Sequence, residues 1–267
     1  MISTETKTPS SGGEIVIRQF RQSDASQVYA LLSEGFIHGP GSPQKGAQRR
    51  NVTSRMSCLA YAGFMGGLGF LSINSYIPRL TGTALVLGSA AAFFYTRWRI
   101  NRWFVNFCAT ARKTDMEDIL ESYGIPFSAD SIHLPEQQGP GGFWVAVLEF
   151  PERKTSEVVG YVGLDYRSNI DPTSAELRRM IVSPRHRRRR IGSLLMTALM
   201  DHARSRAPPL KTLELETIQN EFQPGPLKLY ESYGFRVIGK RAVRAAPFFD
   251  MTMVHLTMKL DIPGFTE

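Results

Sequence analysis

Residues 182–196 read VSPRHRRRRIGSLLM. A strand ends at Val182, a basic loop follows, and a helix begins at about Ile191. The N-terminus of a helix presents free N–H groups and a partial positive charge, which suits a phosphate. Arg187, Arg188, Arg189 and Arg190 add charge and donors. Gly192 lets the backbone approach a ligand closely. A polyarginine run also fits a nuclear-localisation signal or a nucleic-acid patch. This run lacks interleaved aromatic residues and sits at a strand–helix junction, so no nucleic-acid partner is expected.

Outward from the loop, apolar and polar residues alternate between helical and strand periods. Strands are expected at 14–20, 143–149, 157–166, 176–182, 213–217, 235–242 and 249–260. Helices are expected at 25–36, 115–123, 191–206 and 226–233, the first capped by Ser23-Asp24 and the last ended by Gly234. Mixed helices and strands with adjacent strand pairs read as one α+β sheet domain.

The chain has 267 residues and a formal charge of +8. The average conceals its distribution. Residues 35–114 hold ten Lys or Arg and no Asp or Glu, and residues 178–190 hold seven Arg and no acid. The remainder is acidic. Mean hydropathy is −0.18, yet residues 56–77 carry no charge and residues 80–96 carry none either. Only Pro78-Arg79 separates them. A helix needs about 20 apolar residues to cross a hydrocarbon core of about 30 Å. The segment therefore reads as a hairpin, turning at 78–79, against a lipid bilayer. Lys45, Arg49, Arg50 and Arg55 before it and Arg97, Arg99 and Arg102 after it place both ends in the cytosol by the positive-inside tendency. Trp98 and Trp103 interleave with these arginines as interface anchors. The division is 14–45 for the first strand and helix, 46–112 for the inserted hairpin with its basic flanks, and 113–262 for the main domain.

Two cysteines exclude a disulfide scaffold. The five histidines show no ligand spacing to each other or to cysteine, so no metal is expected.

The pattern Val-x-Pro-x-x-Arg-x-x-x-Ile-Gly-x-x-Leu-Leu resembles the acetyl-CoA pyrophosphate loop of the GNAT acetyltransferase superfamily. Residues 226–235, PLKLYESYGF, are similar to that family's Leu-Tyr-x-x-x-Gly-Phe signature. An apolar insertion after the first helix resembles the camello-type membrane-bound N-acetyltransferases. The resemblance implies a mixed central sheet flanked by helices, acetyl-CoA as co-substrate, and an amine acceptor. That branch includes enzymes acting on cysteine S-conjugates, on aspartate, and on lysines of endoplasmic-reticulum proteins. It implies an endoplasmic-reticulum membrane location with the catalytic domain facing the cytosol. The loop departs from the family at Arg190, where the usual residue is Gly. A positive φ there would cost an Arg roughly 1 kcal/mol.

Acetyl transfer to an amine needs a base, oxyanion stabilisation and protonation of the leaving thiolate. By resemblance, Glu176, eleven residues before Arg187, is the base. A strand-edge Glu paired with Arg178 is the alternative. Tyr230 stands where the family places the acid for the coenzyme A sulfur, with Tyr233 as competitor. Backbone N–H groups near Ile181 and Val182 would hold the oxyanion. The loop residues Arg187 to Arg190, with Ile191, Gly192 and Ser193, would hold the pyrophosphate. Gln223 would contact coenzyme A, with Asn220 nearby. Three readings stay open: a small-molecule N-acetyltransferase, a protein lysine acetyltransferase, and a non-catalytic membrane-tethered module.

Overall fold

The computed structural model describes residues 7–10, 13–125, 141–150, 155–166, 171–205, 210–219 and 225–260. Eight strands form one sheet: β1 (Lys7–Ser10), β2 (Gly13–Gln19), β3 (Gly142–Phe150), β4 (Thr155–Asp165), β5 (Ser174–Val182), β6 (Thr212–Ile218), β7 (Arg236–Ala246) and β8 (Phe249–Lys259). Their order is β1-β2-β3-β4-β5-β6-β8-β7. Every neighbouring pair is antiparallel except β5 and β6, which run parallel.

The central strand β3 shows why two layers of helix are needed. Its residues 142–148 are all buried. Trp144, Ala146 and Leu148 face one core and Phe143, Val145 and Val147 face the other, as period-two alternation dictates. The first core is closed by α6 (Ile191–Ser205). Its apolar stripe of Ile191, Leu195, Met196, Leu199, Met200 and Ala203 is buried at helical spacing. The second core is closed by α1 (Ala25–Ser33), through Val28, Leu31 and Leu32, and by a longer helix described below.

After α1 the chain makes a π-helical turn (Glu34–His38) and enters α2 (Pro43–Val52), α3 (Arg55–Leu71) and α4 (Tyr76–Lys113). Two expectations are corrected. The hairpin turn lies at residues 72–75, where Ser72, Asn74 and Ser75 interrupt the apolar run, and not at Pro78-Arg79. Pro78 is the third residue of α4, in the first turn, where its missing N–H costs no helical bond. The second arm also does not end at Thr96. It continues as one helix to Lys113, because Ile100, Phe104, Cys108 and Ala111 supply a stripe that packs into the second core. The expected boundary at 46 therefore falls inside α2, and that at 112 falls one residue before the end of α4.

The outer half of this pair is unlike the rest. Sixteen large hydrophobic residues between Leu59 and Trp98 are exposed, Leu59, Met65, Tyr76, Ile77 and Phe94 among them at 65–79 %. The two helices meet each other through small residues. A Cβ on Gly82 would lie 2.6 Å from the Gly67 carbonyl oxygen, and one on Gly67 would lie 2.9 Å from that of Gly82. One helix, α4, is long and apolar enough to cross a membrane.

Shorter elements follow. The helix expected at 115–123 shrinks to α5 (Ile119–Ser122), with Asp118 capping Glu121 N–H at 2.9 Å. Asp24 does not cap α1. Its carboxylate is taken by Arg18, at 2.7 and 2.8 Å, and by the Arg21 N–H. Between β6 and β7 stands α7 (Gly225–Ser232), which ends at Gly234 with φ of 97°.

Candidate active site

The parallel pairing of β5 with β6 is short. It joins residues 174–177 to residues 212–215 and stops, although β5 runs on to Val182 and β6 to Ile218. Residues 178–182 of β5 keep only β4 as a partner, so among the described residues the sheet forks there. The sequence marks the place with two successive arginines, Arg178 and Arg179, in a strand that should alternate. The register slips between Tyr161 and Gly163 of β4, and Arg179 takes φ of 57°. This is a β-bulge, which bends the strand and re-aims its side chains.

The basic loop lies at the far end of β5. A 3-10 turn (Pro184–His186) leads into Arg188 with φ of 65° and Arg190 with φ of 58°. Leu194 N–H then bonds Arg190 O at 3.0 Å, the first turn of α6. The left-handed backbone expected of a glycine is therefore adopted by arginine. The loop is divided in two. Arg185 pairs with Glu34 at 3.0 Å, and Arg187 donates to Pro40 O at 2.9 Å. Burial lowers the Arg187 pKa below its ordinary value, and Glu34 partly offsets this. Arg188, Arg189 and Arg190 are exposed, and no described residue pairs with them. Guanidiniums and helix-start N–H groups are donors that suit a pyrophosphate, and this loop offers both. Ile191 is buried beneath it. Gly192 has a structural task too, since a Cβ there would meet Leu229 of α7 at 3.1 Å.

Glu176 lies on β5 where the fork begins, level with Asp165 of β4 and Glu214 of β6. Its carboxylate accepts from Arg178 Nε at 2.8 Å and Nη2 at 2.6 Å, while Arg178 Nη1 reaches Asp165 at 2.8 Å. Burial pushes the Arg178 pKa down, but Glu176 and Asp165 outweigh it and raise the pKa overall. Ile181 and Val182 stand beyond the bulge, opposite Tyr161 and Gly160. Tyr230 is buried in α7 with its ring 6.0 Å from Phe235, and burial pushes its hydroxyl well above the ordinary tyrosine range. Tyr233 instead ties α7 to α6, donating to Ser193 O at 2.8 Å and meeting Thr197 at 3.0 Å. Gln223 and Asn220 lie outside the described residues.

One cluster was not foreseen. Asp115, two residues past α4, accepts from Arg179 Nε at 2.8 Å and Nη2 at 2.6 Å and from Tyr123 at 2.6 Å. Burial pushes the Asp115 pKa up, but these partners outweigh it and hold it below the ordinary value. The doubled arginine was the available signal, since one of two neighbours on a strand must find a buried partner.

The Acetyltransferase (GNAT) family model matches residues 110–235, which span α5, both strands of the fork, the basic loop and α7. The chain carries a GNAT acetyltransferase domain. It is 27% identical over 228 residues to the N-acetylaspartate synthetase of Danio rerio, covering 85% of this chain and 68% of that protein. It is 26% identical over 223 residues to the protein named "Probable N-acetyltransferase camello" of Xenopus tropicalis, covering 83% and 86%. A GNAT-family acetyltransferase structure from Staphylococcus aureus superposes with a TM-score of 0.46 at 14% identity, covering 92% of this chain and 99% of that one. No group of three or more His, Cys, Asp or Glu able to hold a metal ion occurs among the described residues.

Proposed function

We propose that this chain is a membrane-anchored N-acetyltransferase that moves the acetyl group of acetyl-CoA to the amine of a small molecule, such as an amino acid or a cysteine S-conjugate. The observation that carries the reading is the fork between β5 and β6, with Arg188, Arg189, Arg190 and the α6 N-terminus at one end. The thioester supplies the acyl group. Backbone N–H groups near Ile181 and Val182, free of β6, are positioned to receive an oxyanion. Glu176 takes the ammonium proton when Arg178 shifts its hydrogen bonds to Asp165, which it already touches. Tyr230, held protonated by its surroundings, donates to the departing sulfur. Ile191, Gly192 and Ser193 support the phosphates, and Gln223 contacts the coenzyme.

The exposed apolar arms of α3 and α4 support the anchor. Residues 76–96 of α4 span about 31 Å, matching a hydrocarbon core of about 30 Å. The arginines at its foot favour the cytosolic side of the endoplasmic-reticulum membrane. Acetylation of a panel of S-substituted cysteines, amino acids, polyamines and a lysine peptide by detergent-solubilised protein tests the reaction. Turnover of the small amines supports it, preference for the lysine peptide makes it a protein acetyltransferase, and absence of saturable acetyl-CoA binding overturns it. Release of the protein from cell membranes without detergent would overturn the anchor.

A further inference from the structure

The turn between β7 and β8 contradicts the usual choice of residue. Phe248 holds φ of 56°, a conformation that disfavours bulky side chains. It is 75 % exposed, more than any phenylalanine of the apolar hairpin. Among the described residues nothing buries it, while its neighbour Phe249 is buried.

The position of this turn suggests what does cover it. Phe249, with Ala245, Ala246 and Met251, belongs to the buried cluster that contains Ile100 and Phe104 of α4. The Arg50 guanidinium lies 5.0 Å from the Phe249 ring centre and donates to the Asp250 carbonyl. Arg50 precedes α3 by five residues, and Ile100 follows the apolar run of α4 by four. The turn is therefore fastened to the foot of the hairpin. Exposed Trp98, Arg55, Arg99 and Arg102 stand at that same level. Aromatic rings and arginines together are the side chains that settle at a bilayer's headgroup boundary. The carboxylate that follows the turn, Asp250 on β8, is paired with Arg244 at 3.0 Å. The charge facing outward is thus basic and complementary to anionic headgroups.

We propose that Phe248 is a second bilayer contact, its ring seated at the headgroup boundary beside the hairpin. The proposal rests on the reading of α3 and α4 as a membrane anchor. β8 runs antiparallel to β6, with Met253 opposite Ile218, so the turn lies at the end of the sheet where the fork opens. Two contacts, hairpin and turn, hold that end toward the membrane surface. An acceptor that partitions into the interface then reaches the fork without crossing bulk water.

The test uses the full chain in phosphatidylcholine vesicles containing phosphatidylserine and a brominated-chain phospholipid. In a Cys58→Ser background, an environment-sensitive fluorophore is attached at Phe248→Cys, at Phe94→Cys in the hairpin, or at Ser26→Cys on the exposed face of α1. Acetyl-CoA binding checks that each variant is folded. The expected result is blue-shifted emission and bromine quenching at 94 and 248, with neither at 26. Quenching at 94 without quenching at 248 overturns the second contact and leaves the anchor standing. Quenching at neither overturns both.

Discussion

Replacing Asp115 by Asn tests the buried cluster that joins the end of α4 to the bulge of β5. Asn keeps the shape and the Tyr123 contact but removes the charge that Arg179 faces at 2.6 and 2.8 Å. The pair is largely buried, with side-chain exposures of 10 % for Asp115 and 17 % for Arg179. Removing one partner of a buried pair costs about 3–5 kcal/mol, since the other charge is left uncompensated. Burial here is incomplete, so a loss near the lower end, about 3 kcal/mol, is expected. For a domain of this size that lowers Tm by about 6–12 °C. Thermal unfolding in detergent, followed by near-ultraviolet circular dichroism, measures it. The double variant Asp115→Leu with Arg179→Met leaves no orphaned charge and should recover most of the loss. The acid limb carries a second signature. A carboxylate held below its ordinary pKa stabilises the fold above about pH 3.9 and loses that contribution as pH falls through the depressed value. The wild-type acid transition should therefore be steeper than that of Asp115→Asn. A fall in Tm below about 2 °C, or additive single losses in the double variant, would refute the reasoning.

Four further outcomes follow from the geometry. Glu176→Gln should lower kcat by about two orders of magnitude and flatten the pH–rate profile, while leaving acetyl-CoA affinity unchanged by calorimetry. Arg190→Gly relieves a left-handed arginine, about 1 kcal/mol, but adds unfolded-chain entropy of about 0.5–1 kcal/mol; Tm should stay nearly constant while acetyl-CoA affinity falls with the lost charge. Tyr233→Phe removes the bond to Ser193 O that joins α7 to α6 and should cost about 1 kcal/mol in denaturant titration. Gly82→Leu drives a side chain into the Gly67 backbone and should splay the hairpin, read as new protease cleavage in residues 72–75 of micelle-bound protein.

The sequence was most legible where a local pattern determines structure by itself. The strand before Val182, the helix from Ile191 and the Gly234 stop all stand within a residue or two of expectation. The positive φ at Arg190 is a different case, because the residue type argues against a conformation that the loop adopts all the same. What stayed hidden depends on distant partners. Asp24 looked like a cap, but Arg18 across the turn offers a charged partner and takes its carboxylate. The continuation of α4 past Thr96 was obscured because Arg97, Arg99 and Arg102 end the uncharged run where the stripe that meets the sheet begins. Nothing local in Asp115 points to Arg179, which is 64 positions away. For the candidate site, Glu176 and Arg178 were legible as neighbours two apart on one strand face. The second carboxylate on Arg178, Asp165, was not, because only the pairing of β4 with β5 brings it alongside.

A helix that begins in an exposed apolar hairpin and ends in a buried core is also a ruler. The 38 residues of α4 run without a break for about 57 Å, and no flexible joint separates the half that projects from the half that the sheet grips. The fork between β5 and β6 is consequently held at one height and one azimuth relative to whatever surrounds the hairpin. Inserting a single residue near position 98 would rotate the domain by about 100° about the helix axis, whereas inserting four would return it nearly to register and lift it by about 6 Å. Phase, rather than length alone, would then govern which acceptors the enzyme can meet.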